Sequence, residues 1–332
     1  MIEIPLLVIF IIIIALIFDF GNGLNDAANA IATVVATRVL PLRLAVVLAA
    51  VGNIIGAFIF TVAVATTVGK GLISPEIVNE FVILAALIGA IFWVYFCTHF
   101  GLPISATHAL IGGFIGSAII KAGTDSIILP GVFKVLIFIF IAPLIGMFGG
   151  LYFSTLITWL FRKTNPSKVN KYFKRLQLLS AAAYSLGHGT NDAQKTMGII
   201  SILLFSAGLL GDKFYVPFWV VLMSHITIGL GTLAGGWRVI KTVGMKITKL
   251  RPVDGFCAET SGAGVIIGCT LAGIPVSTTH VISGSIAGVG STKRLSAVRW
   301  KLAKKIVWAW ILTIPASAII GALFYYILSI FI

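Results

Sequence analysis

Two copies of one polar motif, each set deep in an apolar run, limit what this chain can fold into. The first reads Gly21-Asn22-Gly23-Leu24-Asn25-Asp26-Ala27 and the second Gly187-His188-Gly189-Thr190-Asn191-Asp192-Ala193, at an offset of 166. A carboxylate at bilayer depth is expensive, and such groups face a bundle interior or a water-filled cavity. Keeping the Asn-Asp pair twice points to one polar site shared by two halves of the molecule.

A second motif repeats at an offset of 172: Gly101-Leu102-Pro103-Ile104-Ser105-Ala106-Thr107-His108 against Gly273-Ile274-Pro275-Val276-Ser277-Thr278-Thr279-His280. Offsets this close describe one duplicated unit with few insertions. Pro41 and Pro217, each opening the next apolar run, keep the same register.

The lipid setting follows from composition. The chain is 59% hydrophobic and only 10% charged, against roughly 25% charged in soluble domains. Residues 4–18 could pass for a signal sequence, but no basic leader or small-residue cleavage site surrounds them. The net charge of +14 is concentrated, with most of the 24 Lys and Arg in residues 162–175, 238–251 and 293–305. Basic loops on the cytoplasmic side and attraction to anionic headgroups account for this without nucleic acid. Cys97, Cys257 and Cys269 show no metal or disulfide spacing.

The expected fold is an all-α integral membrane protein of two inverted-topology repeats. It has about 10–12 transmembrane segments, with broken or re-entrant helices at the midplane. The repeats are residues 1–161 and 176–332, joined by a basic cytoplasmic linker at 162–175. Residues 4–40 as one helix would be about 55 Å long, beyond the ~30 Å hydrocarbon core. An interruption is therefore expected at Gly-Asn-Gly. Pro103 and Pro275 are expected in the first turn of the helices that follow them. Arg38 and Arg43 end the first broken segment inside, and the second repeat starts inside after Arg175. The halves then run in opposite senses, with both termini outside the cell membrane.

The two motif pairs carry complementary chemistry. Asp26, Asp192, Asn25 and Asn191 offer the oxygens that hard cations prefer. Ser105, Thr107, Ser277, Thr278 and Thr279 lie near helix starts, where free N–H groups and hydroxyls take oxyanions such as phosphate or sulfate. An aspartate beside a divalent anion repels it unless a cation or proton lies between them. The simplest site is thus a cation-coupled oxyanion site. Asn25, Asn191 and Gln194 are further phosphate contacts, and Glu259 is either interfacial or a further cation carboxylate. His108 and His280 support the site from the ends of their motifs, and Lys195 pairs with Asp192 or attracts the anion. His188, His99 and His225 lack symmetric histidine partners and are assigned structural roles.

These residues resemble the inorganic phosphate transporter family, which includes animal type III sodium–phosphate symporters and bacterial carriers. The resemblance rests on both signature copies, on Gly21 through Ala30, on Gly273 through His280, and on Gly236-Trp237-Arg238-Val239-Ile240-Lys241-Thr242-Val243-Gly244. It covers essentially the whole chain. It implies phosphate uptake coupled to Na⁺ or H⁺, an inverted-repeat fold and often a homodimer, with functional weight on the signature Asn and Asp residues and on Glu259. Animal members carry a glutamate where this chain has Asn53, so no role transfers there.

The sequence therefore reads as a secondary transporter working by alternating access, with no cofactor. Na⁺ is the favoured coupling ion because the Asp-Asn pairs and hydroxyls are good oxygen ligands. H⁺-coupled phosphate or metal-phosphate transport, and transport of sulfate, are the alternatives. No Walker motif, HExxH or GxSxG pattern supports ATP hydrolysis or an intramembrane hydrolase. A passive channel would show flux with no cation dependence.

Overall fold

The computed structural model describes residues 4–59, 62–74 and 76–331. It contains twelve α-helices in this region, six from each repeat. The first six are α1 (Leu6–Ala36), α2 (Leu42–Ile55), α3 (Ala63–Lys70), α4 (Glu80–His99), α5 (Ala106–Ala122) and α6 (Leu129–Leu160). Their counterparts are α7 (Pro166–Ser206), α8 (Phe218–Ala234), α9 (Trp237–Lys246), α10 (Pro252–Leu271), α11 (Thr278–Lys293) and α12 (Trp300–Ser329).

Helices α1, α4, α6 and α12 are each long and apolar enough to cross a membrane, and the bent pairs α2–α3 and α8–α9 qualify as joint spans. Helix α7 has the length but spends its interior positions on Ser180, Ser185, His188, Thr190, Asn191, Asp192, Gln194 and Lys195, all buried. The polar interior has an apolar exterior. Phe133, Phe140, Phe148 and Trp159 of α6 and Trp308, Ile319 and Leu323 of α12 are exposed, the pattern expected where lipid replaces water as solvent.

The break expected at Gly-Asn-Gly is absent. Helix α1 runs unbroken through Gly21–Gly23 and α7 through Gly187–Gly189. The bends fall instead in the second segment of each repeat, 83° between α2 and α3 and 78° between α8 and α9. The motif glycines serve close packing. A Cβ on Gly23 would strike the Ile228 carbonyl of α8, and one on Gly189 would strike the Asn53 backbone of α2. Gly189→Leu is therefore expected to lower stability by about 1–3 kcal/mol through overpacking. Thermal melting of the purified protein checks this, and an unchanged melting temperature would contradict it.

The basic stretch 162–175, expected as a linker loop, is helical from Pro166 onward. Asn165 caps it by accepting from Ser167 N at 2.9 Å, and Pro166 takes the first helical position, where a missing N–H costs nothing. At 1.5 Å per residue α7 is about 60 Å long, and its exposed N-terminal turns carry Lys168, Lys171, Lys174 and Arg175.

The corresponding helices α1 and α7 run antiparallel. Thr37 Oγ1 donates to Gln177 Oε1 at 2.9 Å, Asp26 and Asp192 meet at a shared threonine, and Asp19 faces Thr196. Numbers rise along one helix as they fall along the other, which is the inverted relation seen from inside.

The repeats also exchange their last helices. Helix α6 packs on α10 and α11 of the second repeat, while α12 packs on α4 and α5 of the first. Small-residue steps permit this. Gly112 and Gly116 of α5 lie against the backbone of Ile314 and Ala318, and Gly284 and Gly288 of α11 against that of Pro143 and Met147. Such Gly-xxx-Gly faces let helix backbones touch where burial from lipid supplies no hydrophobic drive.

Candidate functional site

The site begins at two helix ends that the sequence specifies in duplicate. Helix α4 stops in a left-handed Gly101 (φ 68°) and α10 in Gly273 (φ 65°). Leu102 N bonds back to Cys97 O at 2.9 Å and Ile274 N to Cys269 O at 2.8 Å. These are Schellman ends, for which glycine carries no Cβ penalty. Pro103 and Pro275 follow in the short connectors, ahead of the next helices and outside their first turns. Ser105 and Ser277 are then the N-caps, accepting from His108 N at 3.2 Å and His280 N at 3.3 Å. Two helix N-termini, α5 and α11, thus enter the protein centre with free N–H groups in their first turns.

A pseudo-two-fold arrangement ties these ends together. Thr107 Oγ1 reaches Val276 O at 3.5 Å and Thr279 Oγ1 reaches Ile104 O at 2.9 Å. His108 and His280 meet edge to face with centroids 4.8 Å apart, and His280 stacks on Trp310 at 3.7 Å. The two histidines therefore pack against each other behind the helix starts, and neither is hydrogen-bonded to an aspartate.

Helices α1 and α7 present facing polar stripes. Asp19, Asn22, Asp26, Asn29 and Thr33 recur at steps of three and four on α1, and all are buried. Steps of that size share a helix face. On α7 the stripe is Gln177, Ser180, Tyr184, His188, Asp192 and Lys195. Where the stripes cross, Thr278 Oγ1 lies 3.1 Å from Asp26 Oδ2 and 3.1 Å from Asp192 Oδ2. Thr279 Oγ1 donates to Asp26 Oδ1 at 3.0 Å, and Asn29 Nδ2 to Thr279 Oγ1 at 2.9 Å. Tyr184 holds the Thr278 carbonyl at 3.1 Å.

His188, assigned a structural role from sequence, is at the centre. Its Nε2 lies 3.1 Å from Asp192 Oδ2 and 3.9 Å from Asp26 Oδ2. Its Nδ1 lies 3.0 Å from Asn53 Oδ1, and Asn53 is fixed in turn by donating to Thr232 Oγ1 at 2.9 Å. Lys195, one turn beyond Asp192, ion-pairs with Asp192 Oδ1 and donates to Val276 O at 3.0 Å. Ligand atoms of Asp26, His188 and Asp192 all lie within 4.8 Å of one another, so these three could hold one metal ion.

Other expected ligands are placed elsewhere. Asn25 Nδ2 donates to Thr98 Oγ1 at 2.7 Å and Asn191 Nδ2 to Thr270 Oγ1 at 2.9 Å. The two amides thus tie α1 to α4 and α7 to α10. A neighbouring residue on a helix points about 100° away, so Asn25 cannot share the face of Asp26. Gln194 Oε1 accepts from Val64 N at 2.8 Å and holds the start of α3. Glu259 is buried but bonded to Gln177 at 2.9 Å and to Ser180. Gln177 is about 22 Å along α7 from Asp192, so Glu259 belongs to a separate cluster toward the basic end of α7.

The repeats are alike in their carboxylates and unlike in what surrounds them. His188 corresponds to Asn22, Lys195 to Asn29, Thr278 to Ala106 and Glu259 to Leu87. Both aspartates consequently converge on α11, whose first turn alone has adjacent threonines.

A family model described as the phosphate transporter family (PHO4) matches residues 22–321. A probable low-affinity inorganic phosphate transporter of Rhizobium meliloti is 54% identical over 97% of this chain and 96% of its own length. A protein of the same description from Bacillus subtilis is 45% identical over 98% of each chain. A solved structure described as the sodium-dependent phosphate transporter superposes with a TM-score of 0.92 at 27% identity, covering 99% of this chain and all of that one. The polar crossing of α1, α7 and α11 lies within a multi-pass membrane transporter, not an enzyme, and the chain belongs to the phosphate transporter family.

Proposed function

We propose that this chain is a symporter that carries inorganic phosphate together with Na⁺ by alternating access, with both termini outside the cell membrane. One observation carries the reading. The Thr278 hydroxyl sits 3.1 Å from both Asp26 and Asp192, and a hydroxyl has one proton to donate. It satisfies one carboxylate at a time. Lys195 already neutralises Asp192, so Asp26, held by hydroxyls and by His188 only at 3.9 Å, is the carboxylate that still calls for a cation if both are to be charged this close together. Asp26 and Asp192 hold the cation, with His188 at their edge.

Phosphate then sits where helix ends and hydroxyls converge. The N-termini of α5 and α11 supply N–H groups and a favourable dipole. Thr107, Thr278 and Thr279 supply hydroxyls, and Ser105 and Ser277 hold those termini in shape. Lys195 neutralises part of the aspartate charge. The bound cation lets the anion approach the carboxylates, so neither ion binds well alone, which is the basis of coupling. The oxygen-rich surroundings favour Na⁺ over H⁺.

The test is uptake into proteoliposomes under an imposed Na⁺ gradient at clamped pH, with labelled phosphate and unlabelled sulfate as competitor. Stimulation by Na⁺ and weak competition by sulfate are expected. A proton gradient that drives uptake where Na⁺ does not would replace the coupling ion, and equal displacement by sulfate would sink the phosphate assignment.

A further inference from the structure

Asp19 is a buried carboxylate that the phosphate site does not use. It lies seven residues before Asp26 on the same face of α1, about 10 Å along the helix. It is fully buried, and neither carboxylate oxygen has a hydrogen-bond partner among the described residues. Asn22, one turn on, is 1% exposed with its amide oxygen and nitrogen both unpartnered. Across the interface, Thr196 of α7 faces Asp19, is fully buried and has an unpartnered Oγ1. The arrangement has no mirror in the second repeat. Ser185 occupies the position matching Asp19 and bonds to its own helix at Ala181 O, 2.8 Å away.

An ionised carboxylate in such surroundings is strongly disfavoured unless it is paired. Lys195, the neighbour of Thr196 on α7, is committed to Asp192 and Val276. What remains is a carboxylate, an amide oxygen and a hydroxyl, all uncharged or anionic oxygens of the kind that hard monovalent cations take. Glu259 does not share this situation, because Gln177 and Ser180 already satisfy it.

We propose that Asp19, Asn22 and Thr196 form a second Na⁺ site, displaced along the α1–α7 seam from the Asp26–Asp192 centre and on the side opposite Glu259. The inference rests on the Na⁺-coupled reading. The site gives the coupling ion a stop two helix turns from the centre, reached along one continuous polar stripe.

The experiment titrates Na⁺ against thermal stability of the purified full chain without phosphate, with choline holding ionic strength constant, and repeats the titration on phosphate uptake. Asp19→Asn keeps the shape and removes the charge. Asp19→Ser installs the residue of the second repeat and serves if the first variant fails to fold. Either variant is expected to need about tenfold more Na⁺ or more in both assays, while Asp19→Glu stays near the wild type. Wild-type Na⁺ dependence in Asp19→Asn or Asp19→Ser overturns the site. Loss of Na⁺ stimulation in the wild-type uptake assay, with Na⁺ stabilisation intact and Asp19-dependent, overturns the symport reading and leaves the site standing.

Discussion

Asp26→Asn is expected to fold normally and to lose Na⁺-driven phosphate uptake almost completely. Asparagine has the size of aspartate, and its amide still bonds to the hydroxyls of Thr278 and Thr279, which hold Asp26 at 3.1 and 3.0 Å. No lysine or arginine pairs with Asp26, and His188 reaches it only at 3.9 Å. Removing its charge therefore strands no cation. The cation itself is lost: two unit charges 4 Å apart attract by about 4 kcal/mol at an effective dielectric near 20. That is about a thousandfold in apparent affinity. Uptake at any practical Na⁺ concentration should fall to background while the melting curve without Na⁺ stays at or above that of the wild type. Substantial Na⁺-dependent uptake by this variant would remove Asp26 from the cation site.

The matching change in the other repeat has a different outcome. Asp192→Asn is expected to lose uptake and to lose stability as well, by about 3–5 kcal/mol, the usual cost of breaking a buried ion pair from one side. Lys195 is 1% exposed, and its ammonium has only Asp192 and the Val276 carbonyl for company. Without Asp192 a buried positive charge stands against one carbonyl. Adding Lys195→Met should restore most of the stability and none of the transport. A double-mutant cycle on melting measures that coupling. Additive losses would show that the pair does not act as a unit.

The contrast between these variants shows what duplication reveals and what it conceals. The repeated motifs make the inverted architecture and the pair of central aspartates readable from sequence, because each appears twice in the same register. The centre's other members are single. His188 looked structural because its counterpart is Asn22, yet that asymmetry is what sets it against both aspartates. Asp19 likewise has no repeat to mark it, since the second repeat has Ser185.

The unbroken course of α1 was hidden by a different cause. Glycine relaxes the backbone and also lets another helix come near, and the letter is the same for both. Only the arrival of Ile228 from some two hundred residues away decides that Gly23 serves contact. Reading the segment as broken also hid the face on which each residue lies, and so grouped Asn25 and Asn191 with the aspartates beside them. The distance of Glu259 from the aspartates is not legible in the sequence, because α7 is long enough to carry two separate polar clusters.

The exchange of α6 and α12 bears on how the molecule is made. Helices α4 and α5 leave the ribosome early, but the helix that closes around them is α12, which begins at Trp300, far downstream of the end of α5 at Ala122. The first repeat must wait in the bilayer, its Gly112–Gly116 face uncovered, until the second repeat has been made through α12. The same geometry speaks to ancestry. A single unit of six helices lacks a lid of its own and obtains one only from a copy inserted upside down. An unduplicated six-helix unit with this packing would need a second copy of opposite sense to cover its α4–α5 face.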